Sequence, residues 1–206
     1  IEALREDGLV PSKIERAADV GFGSGGGSIA LADIFPKAVI VAVDNASTQQ
    51  NHLQYRRREL PRWTSRFEVV SEDMKMAAPK LGRQDIVLAS RIPFSDMDKP
   101  VNWKDDSISA AQTLVALALI VEPDTGTVLV GYDPHEDPGA LWELGKRLDA
   151  GKLFRNLERY QVENGDDWLV LNGVKQDALI ASQSDPEIIL TNIGRKLPTM
   201  EELRKL

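Results

Sequence analysis

The 206-residue sequence predicts an α/β fold: a doubly wound, mostly parallel seven-stranded sheet with helices on both faces and a C-terminal antiparallel hairpin. Three observations predict it. Short strand-like runs alternate with helical segments almost without interruption, the pattern of right-handed βαβ units. A glycine cluster spanning Gly21 to Gly27 follows the first of those runs, where the chain must turn sharply between strand and helix. The rhythm changes late in the chain, where Asn164-Gly165 separates two strand-like runs as a tight connection.

The first strand is read through Ala17 to Gly21, entering the glycine cluster. A helix follows through Ile29, Ala32 and Ile34 until Pro36 stops it. Ala38 to Val43 is continuously apolar, as a strand covered on both faces should be. Asp44 closes it, and Ser47 with Gln50 has the spacing of a capping box for a helix running to Leu60 before Pro61. Phe67 to Val70 is the third strand. A helical turn from about Met74 to Leu81 ends at Gly82, read as a C-terminal cap, and Asp85 to Ala89 is the fourth strand.

A nearly all-apolar helix from about Ile108 to Val121 has to be buried on most sides. Thr127 to Tyr132 is the fifth strand. The helix after it takes Asp137 as its cap, Pro138 in its first turn and Gly151 just past its end. Leu157 to Val162 and Trp168 to Leu171 then pair as the hairpin. Residues 1–174 are assigned to one domain. The extension 175–206, with strand-like Ile188 to Leu190 and helix-like Met200 to Leu206, is expected to pack on that domain or to serve partner contact.

Composition narrows the chemistry more than it names it. Without cysteine there are no disulfides, thiolate-held metals or cysteine nucleophiles, and an intracellular, cytoplasmic setting is the expectation. The longest apolar stretch, Leu114 to Val121, is far too short to span a bilayer, and no signal segment opens the chain. Because the sequence starts at Ile1 rather than Met, further residues are expected ahead of it. A net charge of −7 argues against a broad grip on nucleic acid. The one dense basic cluster, Arg56, Arg57, Arg58, Arg62 and Arg66, is read first as a solvated helix face and second as an RNA contact.

The glycine cluster reads Asp19-Val-Gly21-Phe-Gly23-Ser-Gly25-Gly-Gly27. Its spacing also satisfies the dinucleotide fingerprint through Gly21, Gly23 and Gly26. Asp19 separates the two readings, because a carboxylate there suits an ammonium group and would repel a pyrophosphate. Asp44, about 20 residues after the loop, can accept from two ribose hydroxyls in either case. After the third strand, Asp73 offers a carboxylate for an adenine amino group, with the apolar Met74 beside it.

With these residues the chain resembles the class I, Rossmann-like S-adenosylmethionine-dependent methyltransferases. The likeness is carried by Asp19, Gly21, Gly23, Gly25, Asp44, Asp73 and the strand Asp85 to Ala89, and covers about Ala17 to Leu171. It implies S-adenosyl-L-methionine as cofactor, held by Asp19, Gly21, Gly23, Gly25, Asp44, Asn45, Asp73, Met74 and Ser90. It also implies methyl transfer to a nitrogen or oxygen of a small molecule, RNA or protein, with no metal required. The alternatives are a nicotinamide-dependent oxidoreductase and a catalytically inactive scaffold of the same fold.

The acceptor side is expected past the fourth and fifth strands, since ligands of open α/β sheets bind at the carboxyl ends. Arg91, in Ser90-Arg91-Ile92-Pro93-Phe94, only donates hydrogen bonds and so suits an anionic acceptor better than an amino group. His135, in Tyr132 to Asp137, is the candidate proton acceptor. The loop Ser95 to Asp106, which contains Trp103, is read either as a segment that closes over the acceptor or as a disordered flap.

Overall fold

The computed structural model describes residues 1–45, 65–90, 103–132, 150–161 and 167–184. The elements in chain order are α1 (Glu2–Glu6), β1 (Arg16–Val20), α2 (Gly26–Ile34), β2 (Val39–Val43), β3 (Phe67–Val70), α3 (Met74–Ala77), β4 (Ile86–Ser90), α4 (Trp103–Ile120), β5 (Thr127–Tyr132), α5 (Ala150–Leu153), β6 (Phe154–Gln161), β7 (Asp167–Val174) and α6 (Gln176–Ser184). The strands form one seven-stranded sheet in the order β3-β2-β1-β4-β5-β7-β6. The first five pair in parallel, and β7 runs antiparallel to both β5 and β6.

Period-two alternation explains why the central strands are apolar throughout. Val41 and Val43, with Val87, Ala89, Val128 and Val130, join the core beneath α4. Ile40 and Ala42, with Ile86, Leu88 and Leu129, join the opposite core with Leu4 of α1 and Leu31 of α2. A strand with helices on both faces has no polar side to offer water. Helix α4 follows the same logic, burying Leu114, Val115, Leu117, Ala118 and Ile120.

The expected strands are all present, within a residue or two at each end except in the hairpin. There β6 begins at Phe154 rather than Leu157 and β7 runs on to Val174, because the antiparallel ladder continues from Gln161 paired with Asp167 to Phe154 paired with Val174. Three expectations are corrected. Helix α4 begins at Trp103, so the loop read over Ser95 to Asp106 gives up its last residues to a helix. Gly151 lies inside α5 rather than past a helix end. Gly82 is not among the glycines with positive φ, and the turn before it tightens into a 3-10 segment, Ala78–Lys80, with Pro79 in its first turn.

Helix α6 was not drawn from the sequence. It buries Leu179 against the α4 face, and the Lys175 N–H just before it donates to the Leu153 carbonyl at 2.9 Å. The helix expected from Ser47 to Leu60, and residues Ile188 to Leu190 and Met200 to Leu206, lie outside the described residues. Among the described residues no helix is long and apolar enough to cross a membrane.

Candidate functional site

The strand order places the ends of β3, β2, β1 and β4 side by side, and the sequence-selected residues lie along that edge. Asp19 is next to last in β1, paired in register with Ala42 and Leu88. Its side chain is buried, with 1% of the residue exposed, beneath the start of α2. The Ser28 hydroxyl donates to Asp19 Oδ2 at 2.6 Å, and the Ser28 backbone bonds the same carboxylate. Burial, chiefly, pushes the Asp19 carboxyl up to about 6. The two bonds from Ser28 pull the other way, and the charge of Asp44 adds to the rise.

Above Asp19 the chain makes its turn through three glycines in the left-handed region: Gly21 at φ 68°, Gly23 at φ 51° and Gly25 at φ 83°. Gly25 is the N-cap of α2 and brings no side chain to that cap, so the helix start presents backbone. An N-terminus with backbone N–H groups and no acidic residue in its first turn suits a negatively charged or strongly polar group. Gly27 serves packing instead. A Cβ there would lie 2.7 Å from Leu88 Cδ2 and 2.9 Å from Asp19 Oδ2, so the bare position is what lets α2 settle on β1 and β4.

Asp44 follows β2 and faces the loop. Its Oδ2 accepts the Gly23 N–H at 3.0 Å, while the Gly21 N–H donates to the Val43 carbonyl at 2.8 Å. The carboxylate thus fixes the crest of the glycine turn. With about four lone-pair sites it retains the chemical capacity to accept from a ligand as well. Asn45 is exposed beside it.

Past β3, Asp73 caps α3, accepting the Lys75 N–H at 2.9 Å, and Met74 is half-buried against the α4 core. Ser90 ends β4, half-buried and in register with Gly131 of β5. The structure therefore brings Asp19, the glycine turn, Asp44, Asn45, Asp73, Met74 and Ser90 to neighbouring strand ends. Arg91, His135 and the arginines Arg56, Arg57, Arg58 and Arg62 lie outside the described residues.

Arg66 can be placed, half-buried and in a turn ahead of β3. Its guanidinium donates to the Ala32 and Phe35 carbonyls at the end of α2 and to the Ala38 carbonyl just ahead of β2, so for Arg66 the reading as a solvated helix face is corrected to a helix C-terminal cap. The sequence gives no sign of Ser28's bond to Asp19, and it shows Gly27 as a member of the glycine cluster without revealing its packing role. Among the described residues no group of three or more His, Cys, Asp or Glu is placed to hold a metal ion.

No family model matches the chain, and no curated protein matches it. Solved structures do match its fold. A candidate O-methyltransferase from Nostoc punctiforme PCC 73102 superposes with a TM-score of 0.63 at 14% identity, over 82% of this chain and 53% of its own. The S-adenosylmethionine-dependent methyltransferase SibL gives 0.59 at 16% identity, over 84% and 54%. A candidate rRNA methylase from Clostridium thermocellum gives 0.59 at 12% identity, over 84% and 96%. The chain thus spans about half the length of the first two proteins and nearly all of the third. At these identities the likeness is one of architecture, and the chain has the fold of the class I, Rossmann-like S-adenosylmethionine-dependent methyltransferases.

Proposed function

We propose that this chain is an S-adenosyl-L-methionine-dependent methyltransferase that passes a methyl group directly to a nitrogen or oxygen of its acceptor. The observation that carries the reading is the Asp19, glycine-turn, Asp44 arrangement: two carboxylates behind a turn of bare backbone at the start of α2, with Asp73 one strand further on. When bound, the cofactor supplies an electrophilic methyl on a sulfonium.

The residues fit that group. The backbone of Gly23 and Gly25 allows close approach, Asp44 accepts from hydroxyls, and Asp73 with Met74 offers a carboxylate and an apolar surface for a purine. Asp19 is too enclosed to serve as an open contact. Its negative charge acts on a nearby ammonium through space, from beneath the helix start. Arg91 is assigned to orienting the acceptor and His135 to taking its proton, roles that follow from their places just past β4 and β5.

A nicotinamide-dependent oxidoreductase is disfavoured because the sheet inserts an antiparallel β7 between β5 and β6, where a dinucleotide-binding sheet continues in parallel. The extension from 175 is proposed to belong to the same domain, supported by the burial of Leu179. Acceptors of all three kinds, small molecule, RNA and protein, remain within the proposal.

Titration calorimetry with S-adenosylhomocysteine, NADH and NADPH tests it. Binding of S-adenosylhomocysteine alone is expected. Binding of a nicotinamide cofactor instead overturns the reading, and binding of none leaves a scaffold. Transfer of labelled methyl from the donor into cell extract, fractionated into RNA, protein and metabolites, then distinguishes an active enzyme from a donor-binding scaffold and identifies the acceptor class.

A further inference from the structure

We infer that the indole of Trp168 is the stacking surface for a planar aromatic ring carried by the methyl acceptor. The inference rests on the methyl-donor reading and narrows its acceptor. It begins from one row of the sheet at the carboxyl edge, in which Ser90 of β4 pairs with Gly131 of β5, Gly131 with Trp168 of β7, and Trp168 with Tyr160 of β6.

Gly131 is a costly residue for the interior of a strand, because it packs nothing and loses the most backbone freedom, so its presence asks for a close approach. The approaching group is the indole. A Cβ at position 131 would lie 2.5 Å from Cζ3, 2.7 Å from Cη2 and 3.0 Å from Cε3 of Trp168. The six-membered ring of Trp168 therefore lies over β5 itself, leaning from β7 toward β4 and Ser90. Any side chain at 131 would hold it away.

Alternation fixes the face. Leu129, Val170, Tyr160 and Trp168 belong with the core that holds Leu88 and α2, the same face on which Asp19 lies beneath Gly27. Ser90 is two residues beyond Leu88 and so shares that face, with the start of α2 on one side of it and the indole on the other. Trp168 is only half-buried, although it packs on a core whose aliphatic members are almost fully enclosed. Its neighbour Tyr160 donates its hydroxyl to Asp7, which ties that ring to the segment after α1. A large, flat, partly open ring beside the expected point of methyl transfer favours an acceptor that is itself flat, through offset stacking.

The test uses the protein saturated with S-adenosylhomocysteine and three probes: catechol, adenosine and cyclohexane-1,2-diol, followed by calorimetry and by quenching of tryptophan fluorescence. At least one aromatic probe is expected to bind tenfold or more tightly than the saturated diol and to quench emission. Catechol ahead of adenosine points to a phenolic acceptor, and the reverse order points to a nucleobase. Trp168→Phe should keep most of the binding and Trp168→Leu should lose about tenfold, both with S-adenosylhomocysteine affinity unchanged within twofold. Equal or absent binding of all three probes to the wild type, which needs no variant to fold, overturns the inference while leaving the donor reading standing. So does full retention in a folded Trp168→Leu, which would make the indole a packing group alone. Failure of the wild type to bind S-adenosylhomocysteine removes the donor reading and this inference with it.

Discussion

Asp19 keeps a carboxylate in the interior because α2 starts directly over it and Ser28 bonds it. Its proton is held more tightly in the folded chain, with the carboxyl raised from 3.8 to about 6, chiefly by burial. The stability this lends is therefore complete below the unfolded value and is lost as pH rises through about 6. The displacement corresponds to a loss on the order of 3 kcal/mol between pH 4 and pH 7.5. Asp19→Asn keeps an oxygen for Ser28 and removes the charge, so it should raise the melting temperature at pH 7.5 and flatten this dependence. An unchanged slope in thermal melts across that range would place the titration elsewhere. Asp44→Ala removes the acceptor of the Gly23 N–H and the proposed ribose contact. It should weaken S-adenosylhomocysteine binding by about 1–3 kcal/mol in calorimetry, the range for hydrogen bonds to a charged group. Gly27→Ala sets gains against losses: better helix propensity returns at most about 1 kcal/mol, whereas overpacking against Leu88 and Asp19 costs about 1–3. Denaturant unfolding should show net destabilisation. Gly23 differs, since a Cβ there meets nothing closer than the Gly21 carbonyl at 3.9 Å and the obstacle is its φ of 51°.

At the scale of elements, two arginines finish two helices. Arg66 spans the end of α2, and Arg83 donates to the Leu119 and Val121 carbonyls at 2.7 and 2.9 Å at the end of α4. Both place positive charge at the negative end of a helix dipole and satisfy carbonyls the helix leaves over. Arg66→Ala should lower stability by about 1–2 kcal/mol in chemical denaturation and leave the salt dependence of any polyanion binding unchanged. A reduced salt slope would return Arg66 to the basic cluster. The residues of α2 reveal where it starts and stops, since glycines precede it and Pro36 follows. They do not reveal that its far end is closed by a residue beyond β2.

For the whole molecule, two cores on opposite faces of one sheet make the strand ends of β1 to β4 a rigid row, and a ligand held there should stabilise the fold by mass action. At one hundred times its dissociation constant, S-adenosylhomocysteine should add about 2.7 kcal/mol. For a chain of this size that is roughly 5–10 °C in melting temperature, read by calorimetric scanning, with NADH giving no shift. A shift with NADH alone would count against the proposed function even though the fold stands.

The sequence by itself determined the strands, their mainly parallel pairing, the closing hairpin and the glycine turn. Each rests on a local signal: β-branched runs, prolines that end helices, Asn164-Gly165, and glycines where the backbone takes a positive φ. Tertiary structure alone decided what those elements do to one another. The Asp44 bond to Gly23 crosses 21 residues and the Arg66 bond to Ala32 crosses 34. The indole of Trp168 lies over Gly131 through the register of β5 with β7. Such contacts are set by which strand lies beside which and in what register, and a one-residue slip would turn each side chain to the opposite face.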